Sequence, residues 1–440
     1  MTVEPVRLLK DLVRIDTTNP PGNEKTALCC LKEILEEAGI ETFLQEIPPN
    51  RGNLVAHLPG TCPQEAPIVL MSHIDVVAAR PEEWSQPPFE AKEVDGTIYG
   101  RGTVDTKQLT VMELMAFLHC SDVPRTRDIY FLATGDEECG SALGLEYFLQ
   151  HEVVLGGRRM EGKELFHGSD VISEGGGFPI LVGDKTLYLC ESGQKGCGSV
   201  TFSVPTNGPG GSFFQNGDGV VRAMELVQAI SEQELESRTL PTVSAFCDRI
   251  RAASGGRKDW REQLSPMMKN ILTAMTRNTI TPTLIEGENT DLVRVTCDVR
   301  LLPGFGEDYL RQKAQELSDR FGSSYFIGSF HEGYESDISG PFSAALEKAT
   351  AAESAEPEKV IFLPFISMGS SDGHFVSGMG SRVYGYSPVL AFDMTFDSAV
   401  RMVHGVDERI HRDSLLFGCR VLSRALEEAC NLKGRKPQNG

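Results

Sequence analysis
A chain of 440 residues, 40% hydrophobic and 24% charged, is long enough for two or three domains with at least one sizeable core. Its 42 Lys and Arg against 62 Asp and Glu give a formal charge of -20, which repels polyanions and argues against nucleic acid and anionic membrane as partners. The first residues carry acid where a secretory signal needs base, no segment approaches the roughly 20 apolar residues of a membrane span, and the eleven cysteines include no C-x-x-C pair, so a cytoplasmic protein with reduced thiols is expected.

Val6, Leu8, Leu9, Leu12 and Val13 fall at helical spacing over residues 3–17, the segment from Asp16 to Gly22 breaks that pattern, and Asn23 can cap a second helix running to Gly39. Strands are predicted near 41–47, 53–58 and 67–77, the last ending in His73-Ile-Asp75. Asp105 follows a glycine-containing loop and precedes a helix to about 120, and a strand at 128–133 runs into Glu137 and Glu138. A short apolar strand from Asp170 ends at Glu174 and three glycines. Strands alternating with helices, with polar residues at the strand ends, describe an α/β sheet whose site lies at its carboxyl edge.

From about 195 the pattern changes to an alternating strand at 199–204, a helix at 216–236, an irregular polar stretch, and two strands near 279–286 and 291–301. This reads as a small α+β unit inserted in the larger domain, which gives a first catalytic part at 1–193, an insert at 194–305 and a second catalytic part at 306–440. The second part is expected to hold a helix at 307–321, strands near 325 and 360 and a helix at 412–431, with a disordered tail after Lys433.

Histidine and acid recur at the strand ends: His73, Asp105, Glu137, Glu138 and Glu174, with His404 far along the chain. Oxygen and imidazole donors without thiolate suit two zinc ions, with cobalt or manganese as substitutes. Two divalent ions about 3.5–4 Å apart repel each other, so a carboxylate is expected between them. Their four positive charges exceed the three negative charges of Asp105, Glu138 and Glu174, a remainder that favours deprotonated water near neutral pH. The proton then needs an acceptor that is not a ligand. In an extended segment neighbours point to opposite sides, so Glu138 can bind metal while Glu137 faces the water as general base. Asp75 is suited to fixing the tautomer of His73.

Five segments, Ser72-His73-Ile-Asp75-Val-Val, Gly100-Arg-Gly-Thr-Val-Asp105-Thr-Lys107, Asp136-Glu137-Glu138-Cys-Gly140, Glu174-Gly-Gly-Gly177 and His404-Gly-Val-Asp-Glu408, occur in this order. Together they resemble the co-catalytic zinc amidohydrolase family of acetylornithine deacetylase, succinyl-diaminopimelate desuccinylase, aminoacylase and glutamate-releasing carboxypeptidase. The resemblance implies a zinc-peptidase-like α/β catalytic domain, with a central mixed sheet flanked by helices, interrupted by an α+β lid and dimerisation domain. It implies that Asp105 bridges two metals, that His73 and Glu174 complete one site, and that Glu138 and His404 complete the other. It further implies hydrolysis of an amide or peptide bond in a substrate with a free carboxylate, an N-acyl-amino acid or a peptide. The carboxylate is expected to be held by Arg300, in Asp298-Val-Arg300-Leu-Leu-Pro-Gly304, and by the loop Gly369-Ser-Ser371-Asp372, although an ion pair of Arg300 with Asp298 is the competing use of that guanidinium.

One departure concerns the insert, where the family carries a histidine that reaches across a dimer to the substrate carbonyl. Here the turn reads Gly208-Pro-Gly-Gly-Ser212, and no histidine occurs from 168 to 330. Losing one such donor costs about 10²–10³ in rate, far less than a whole catalytic enhancement. Ser212 or His374 are the candidates to replace it, and a metal-bearing homologue that binds its ligand with little turnover is the alternative reading. A serine hydrolase using Ser371 in Gly369-Ser-Ser371-Asp-Gly373 is a weaker rival, because Pro364 interrupts the preceding strand and the five acid and histidine segments stay unexplained.

Overall fold
The computed structural model describes residues 3–206, 219–287 and 292–430. Ser212 and the tail after Cys430 lie outside the described residues. A ten-stranded mixed sheet forms the larger unit. At its centre Ile68–His73 pairs in parallel with Ile129–Thr134 on one side and with Asp170–Ser173 on the other. These strands are buried throughout, and their side chains divide by period two. Ile68, Leu70, Ile129 and Phe131 face one core with the helices Pro5–Arg14, Glu24–Glu37, Lys107–Ser121 and Arg412–Cys430. Val69, Met71, Tyr130 and Leu132 face a second core beneath Leu145–Gln150. Because the pairing is parallel, with His73 opposite Thr134 and Leu70 opposite Ile172, all three strands leave the sheet along one edge. That edge carries His73, then Glu137 and Glu138, then Glu174.

His404 and Asp105 reach the same place by another route. A small three-stranded sheet pairs Arg409–His411 with Thr97–Tyr99, which lays the segment around His404 against the loop around Asp105.

The second unit is an antiparallel sheet in the order Thr279–Glu286, Leu292–Leu301, Gly196–Pro205, Ser324–His331. Leu292–Leu301 alternates buried and more exposed residues, as a sheet covered on one face must. The cover consists of Gly219–Glu232 and Glu307–Phe321.

Four expectations from the sequence need correction. The strand predicted to 77 ends at His73, so Asp75 lies just beyond the sheet. The helix at 307–321 and the strand near 325 belong with the smaller sheet, because Leu310, Ala314 and Leu317 complete its core and Ser324–His331 pairs with Gly196–Pro205. The expected boundary at 305 therefore falls in the middle of that unit. The stretch that reads as irregular and polar forms two helices, Pro241–Ala253 and Pro266–Ala274, whose Val243, Phe246, Ile250, Met268 and Leu272 pack into the core of the larger unit. Finally, Val360–Ser367 runs unbroken through Pro364, since among the described residues it pairs with Lys185–Gln194 alone and an edge strand tolerates a missing N–H.

Candidate metal centre
Six of the predicted residues converge. His73 Nδ1–H donates to the main-chain carbonyl of Asp75 at 3.0 Å, with the Asp75 carboxylate farther off at 3.5 Å. This fixes the tautomer and leaves Nε2 free to point at the acids, so the carbonyl takes the larger share of the orienting role expected of the Asp75 carboxylate. The carboxylate is engaged elsewhere: it accepts from Asn19 Nδ2 at 2.9 Å and from the N–H groups of Glu137 and Glu138, both at 3.2 Å. Asp75 thus anchors the acidic turn.

Asp105 lies between the two histidines. Its Oδ1 is 3.1 Å from His73 Nε2 and its Oδ2 is 3.2 Å from His404 Nε2. Glu174 stands 3.4 Å from His73 Nε2 on the first side, and Glu138 stands 3.0 Å from His404 Nε2 on the second. Glu137 Oε2 is 4.0 Å from His73 Nε2. The two glutamates part company because Glu137–Cys139 is a single 3₁₀ turn, which sets neighbours about 120° apart, and not the extended segment expected from the sequence. Asp136 opens this turn in the left-handed region (φ 66°), and His404 has a left-handed φ of 56°. After Glu174 the chain needs glycine, because a Cβ at Gly176 would collide with the Gly385 carbonyl.

The donor set fits metal ions. His73, Asp105 and Glu138 place ligand atoms within 4.8 Å of one another, and so do His73, Glu137 and Glu174. Glu138 Oε1 is buried with no hydrogen-bond partner, as suits an atom directed at a cation. Burial and the charge of Glu174 push the Glu137 carboxyl well above the usual range. Burial raises Glu174 too, aided by Asp105 and Glu138. Cations among these oxygens would relieve that repulsion.

Several residues that the sequence did not single out hold this arrangement. The Glu408 carboxylate, fully buried, accepts from Arg101 Nη1 at 2.7 Å and from the N–H groups of Gly102, Val104 and Asp105, the last two at 2.6 and 2.9 Å. It pins the loop that carries Asp105. Asn19 spans Asp75 and Asp136, and Arg51 pairs with Asp136 at 2.8 Å. Glu408 closes the last of the five motif segments and Asn19 lies in the segment from Asp16 to Gly22 that breaks the helical pattern, but their partners are distant in sequence.

Asp105, Glu137, Glu138, Glu174 and His404 line a cavity of about 580 Å³. Gly369 and Ser371 line it, whereas Arg300, Asp372 and His374 do not. Arg300 makes a two-pronged pair with Asp298 at 3.0 and 3.1 Å and donates to the Met368 carbonyl at 3.1 Å, beside the cavity wall. Asp372 turns inward to Ser141 and Thr134, and burial with the charges of Glu174 and Asp75 pushes it up to about 7. The groups meeting Ser371 Oγ are Gln194 Nε2 and Gly373 N, both donors, so neither can take its proton as a serine nucleophile would need.

His374 is structural in this arrangement. Its Nδ1–H donates to the Ser371 carbonyl at 2.7 Å, its ring lies 4.1 Å from that of His331, and Nε2 is buried without a partner. Burial lowers its pKa to about 4, and His331 adds to the effect. The unfolded chain, with an ordinary value of about 6.5, therefore takes up this proton first on acidification. The contribution is intact above pH ~6.5 and is lost as pH falls towards ~4. Denaturant midpoints measured across that window should fall less steeply for His374→Phe than for the native chain, and parallel profiles would contradict the assignment.

A family model described as peptidase family M20/M25/M40 matches residues 69–428. Among curated proteins, aminoacylase-1 of Sus scrofa is 35% identical over 150 residues, a match spanning 33% of this chain and 36% of that protein. Aminoacylase-1 of Pongo abelii is 23% identical over 96% of this chain and 94% of its own length. Among solved structures, an M20 family metallo-carboxypeptidase from Sulfolobus solfataricus superposes with a TM-score of 0.71 at 16% identity, covering 97% of this chain and 99% of that one. A dinuclear metal binding peptidase of the M20 family from Bacillus subtilis gives 0.61 at 11% identity, covering 96% of each chain.

Proposed function
This chain belongs to peptidase family M20/M25/M40 and is a metal-dependent hydrolase of the metallopeptidase and aminoacylase type, and on that premise we propose that it hydrolyses the amide bond of an N-acyl-amino acid or small peptide with a free carboxylate. The observation that carries this reading is Asp105, one carboxylate whose two oxygens face two different imidazoles at 3.1 and 3.2 Å. His73, Glu174 and Asp105 would hold one zinc ion, and His404, Glu138 and Asp105 a second. When bound, the pair supplies polarisation of the scissile carbonyl and acidification of water.

The chain's own groups do the rest. Glu137, which lines the cavity, takes the proton of the attacking water and returns it to the leaving nitrogen as the C–O bond forms and the C–N bond breaks. Ser371 and the loop that begins at Gly369 meet the substrate carboxylate, while Arg300, its charge paired with Asp298, braces that loop through Met368. Asp75 positions His73 and the acidic turn. All eleven cysteines are free thiols, which supports a reducing compartment such as the cytoplasm. A homodimer through the smaller unit belongs to the same reading, supported by Val220, Val221 and Met224, each more than half exposed on Gly219–Glu232.

The test combines metal analysis with hydrolysis of a panel of N-acyl-amino acids and dipeptides. Close to two zinc-type ions per chain are expected, with turnover abolished by a strong chelator and restored by zinc. Turnover that survives chelation and stops with a serine-directed reagent would overturn the proposal.

A further inference from the structure
The lining of the cavity is divided by chemistry. Glu191, Gln194 and Ser371 form a polar patch, with Gln194 Nε2 donating to Ser371 Oγ at 3.0 Å. A separate wall is apolar and comes from two helices, Met267 and Ile271 of Pro266–Ala274 and Phe396 and Val400 of Phe396–Met402, with Phe178 and Val403 beside them. Ser265, the cap of the first helix, donates to Asp397 of the second at 3.0 Å, so the two helices form one wall. Met267 and Ile271 are one turn apart and only partly buried, while Met268 and Leu272 of the same helix are sunk in the core. The helix thus offers a second apolar stripe to the cavity. Val403 directly precedes His404, so the wall begins where the metal-binding residues end. Val400, one turn before Val403 on the helix side of the wall, is 44% exposed, which leaves the wall open to solvent there.

Resting on the deacylase reading above, we infer that this wall is an acyl-chain subsite, and that the substrate is an N-acyl-amino acid carrying an extended alkanoyl group in place of a small or charged one. With the amino acid carboxylate at Ser371 and the scissile carbonyl at Asp105 and Glu137, the acyl half is directed to the remaining, apolar lining. Desolvating a chain there favours each added methylene by about fourfold, until the chain reaches the open end and further carbons remain in water.

The experiment is a series of acetyl, butanoyl, hexanoyl, octanoyl and succinyl derivatives of one amino acid, tested on the zinc-loaded protein. The value of kcat/KM should climb about fourfold per methylene over the first members, with the succinyl compound well below the butanoyl. In Ile271→Asp and Val400→Asp the climb should flatten. A level or falling series, or a succinyl compound used as well as the octanoyl one, overturns the inference and leaves the deacylase reading standing. If no acyl compound turns over although metal is bound, the deacylase reading fails. Calorimetry on zinc-loaded Glu137→Gln protein then decides the subsite alone: tighter binding of the octanoyl than the acetyl derivative supports it, and equal binding overturns it.

Discussion

Glu137→Gln is expected to lower kcat by about 10²–10⁴-fold, the usual worth of a positioned general base, while the protein keeps its metals. The amide matches the carboxylate in shape but cannot accept a proton. Glu137 lies farther from the nearer histidine than Asp105 and Glu174 do, 4.0 Å against 3.1 and 3.4 Å, so its removal should leave the ligand set intact. Stability of the metal-free protein should not fall, and it should rise if anything, because a neutral side chain ends the repulsion that Glu174, Asp372 and Glu138 exert on a buried charge. Steady-state kinetics beside elemental analysis separates the outcomes. Near-native kcat would remove Glu137 from the proton transfer, and loss of metal with loss of rate would make it a ligand.

Glu408→Ala should be the most damaging change outside the ligand set. It strands Arg101, which is 2% exposed, and frees three main-chain N–H groups of the loop that carries Asp105. Removing one partner of a buried ion pair costs about 3–5 kcal/mol, because the remaining charge has no water to turn to. The Asp105 loop should then loosen, and metal content should fall together with the urea midpoint. Glu408→Gln, which keeps one acceptor oxygen, should give an intermediate result. A Glu408→Ala protein with native stability and native metal content would show that the loop is held by other contacts.

Four of the proposed metal-site residues were legible in the sequence because each follows an apolar run that reads as a buried strand, and parallel strands end on a common edge. His73, Glu137, Glu138 and Glu174 needed nothing more than local pattern and that rule. Val243, Phe246 and Ile250 also fall at helical spacing behind Pro241 at the first helical turn, so the helix Pro241–Ala253 is written locally in the sequence, although charged residues surround its apolar stripe. Its place was not available: the period of a helix tells which face is apolar, not which core receives it.

What the sequence by itself determined is therefore the sheet, its carboxyl edge and His73, Glu137, Glu138 and Glu174 at the strand ends, since hydrophobic alternation and strand ends are local properties of the chain. Tertiary structure alone decided that Glu408 grips the Asp105 loop across 307 residues, that Arg300 spends its fork on Asp298, that Asp372 and His374 face away from the cavity, and that the helices Pro266–Ala274 and Phe396–Met402, distant in sequence, together wall the site. The physical reason is common to all four. A polar side chain or an apolar stripe has many partners of equal chemistry along 440 residues, and only the packed chain selects which one comes within reach.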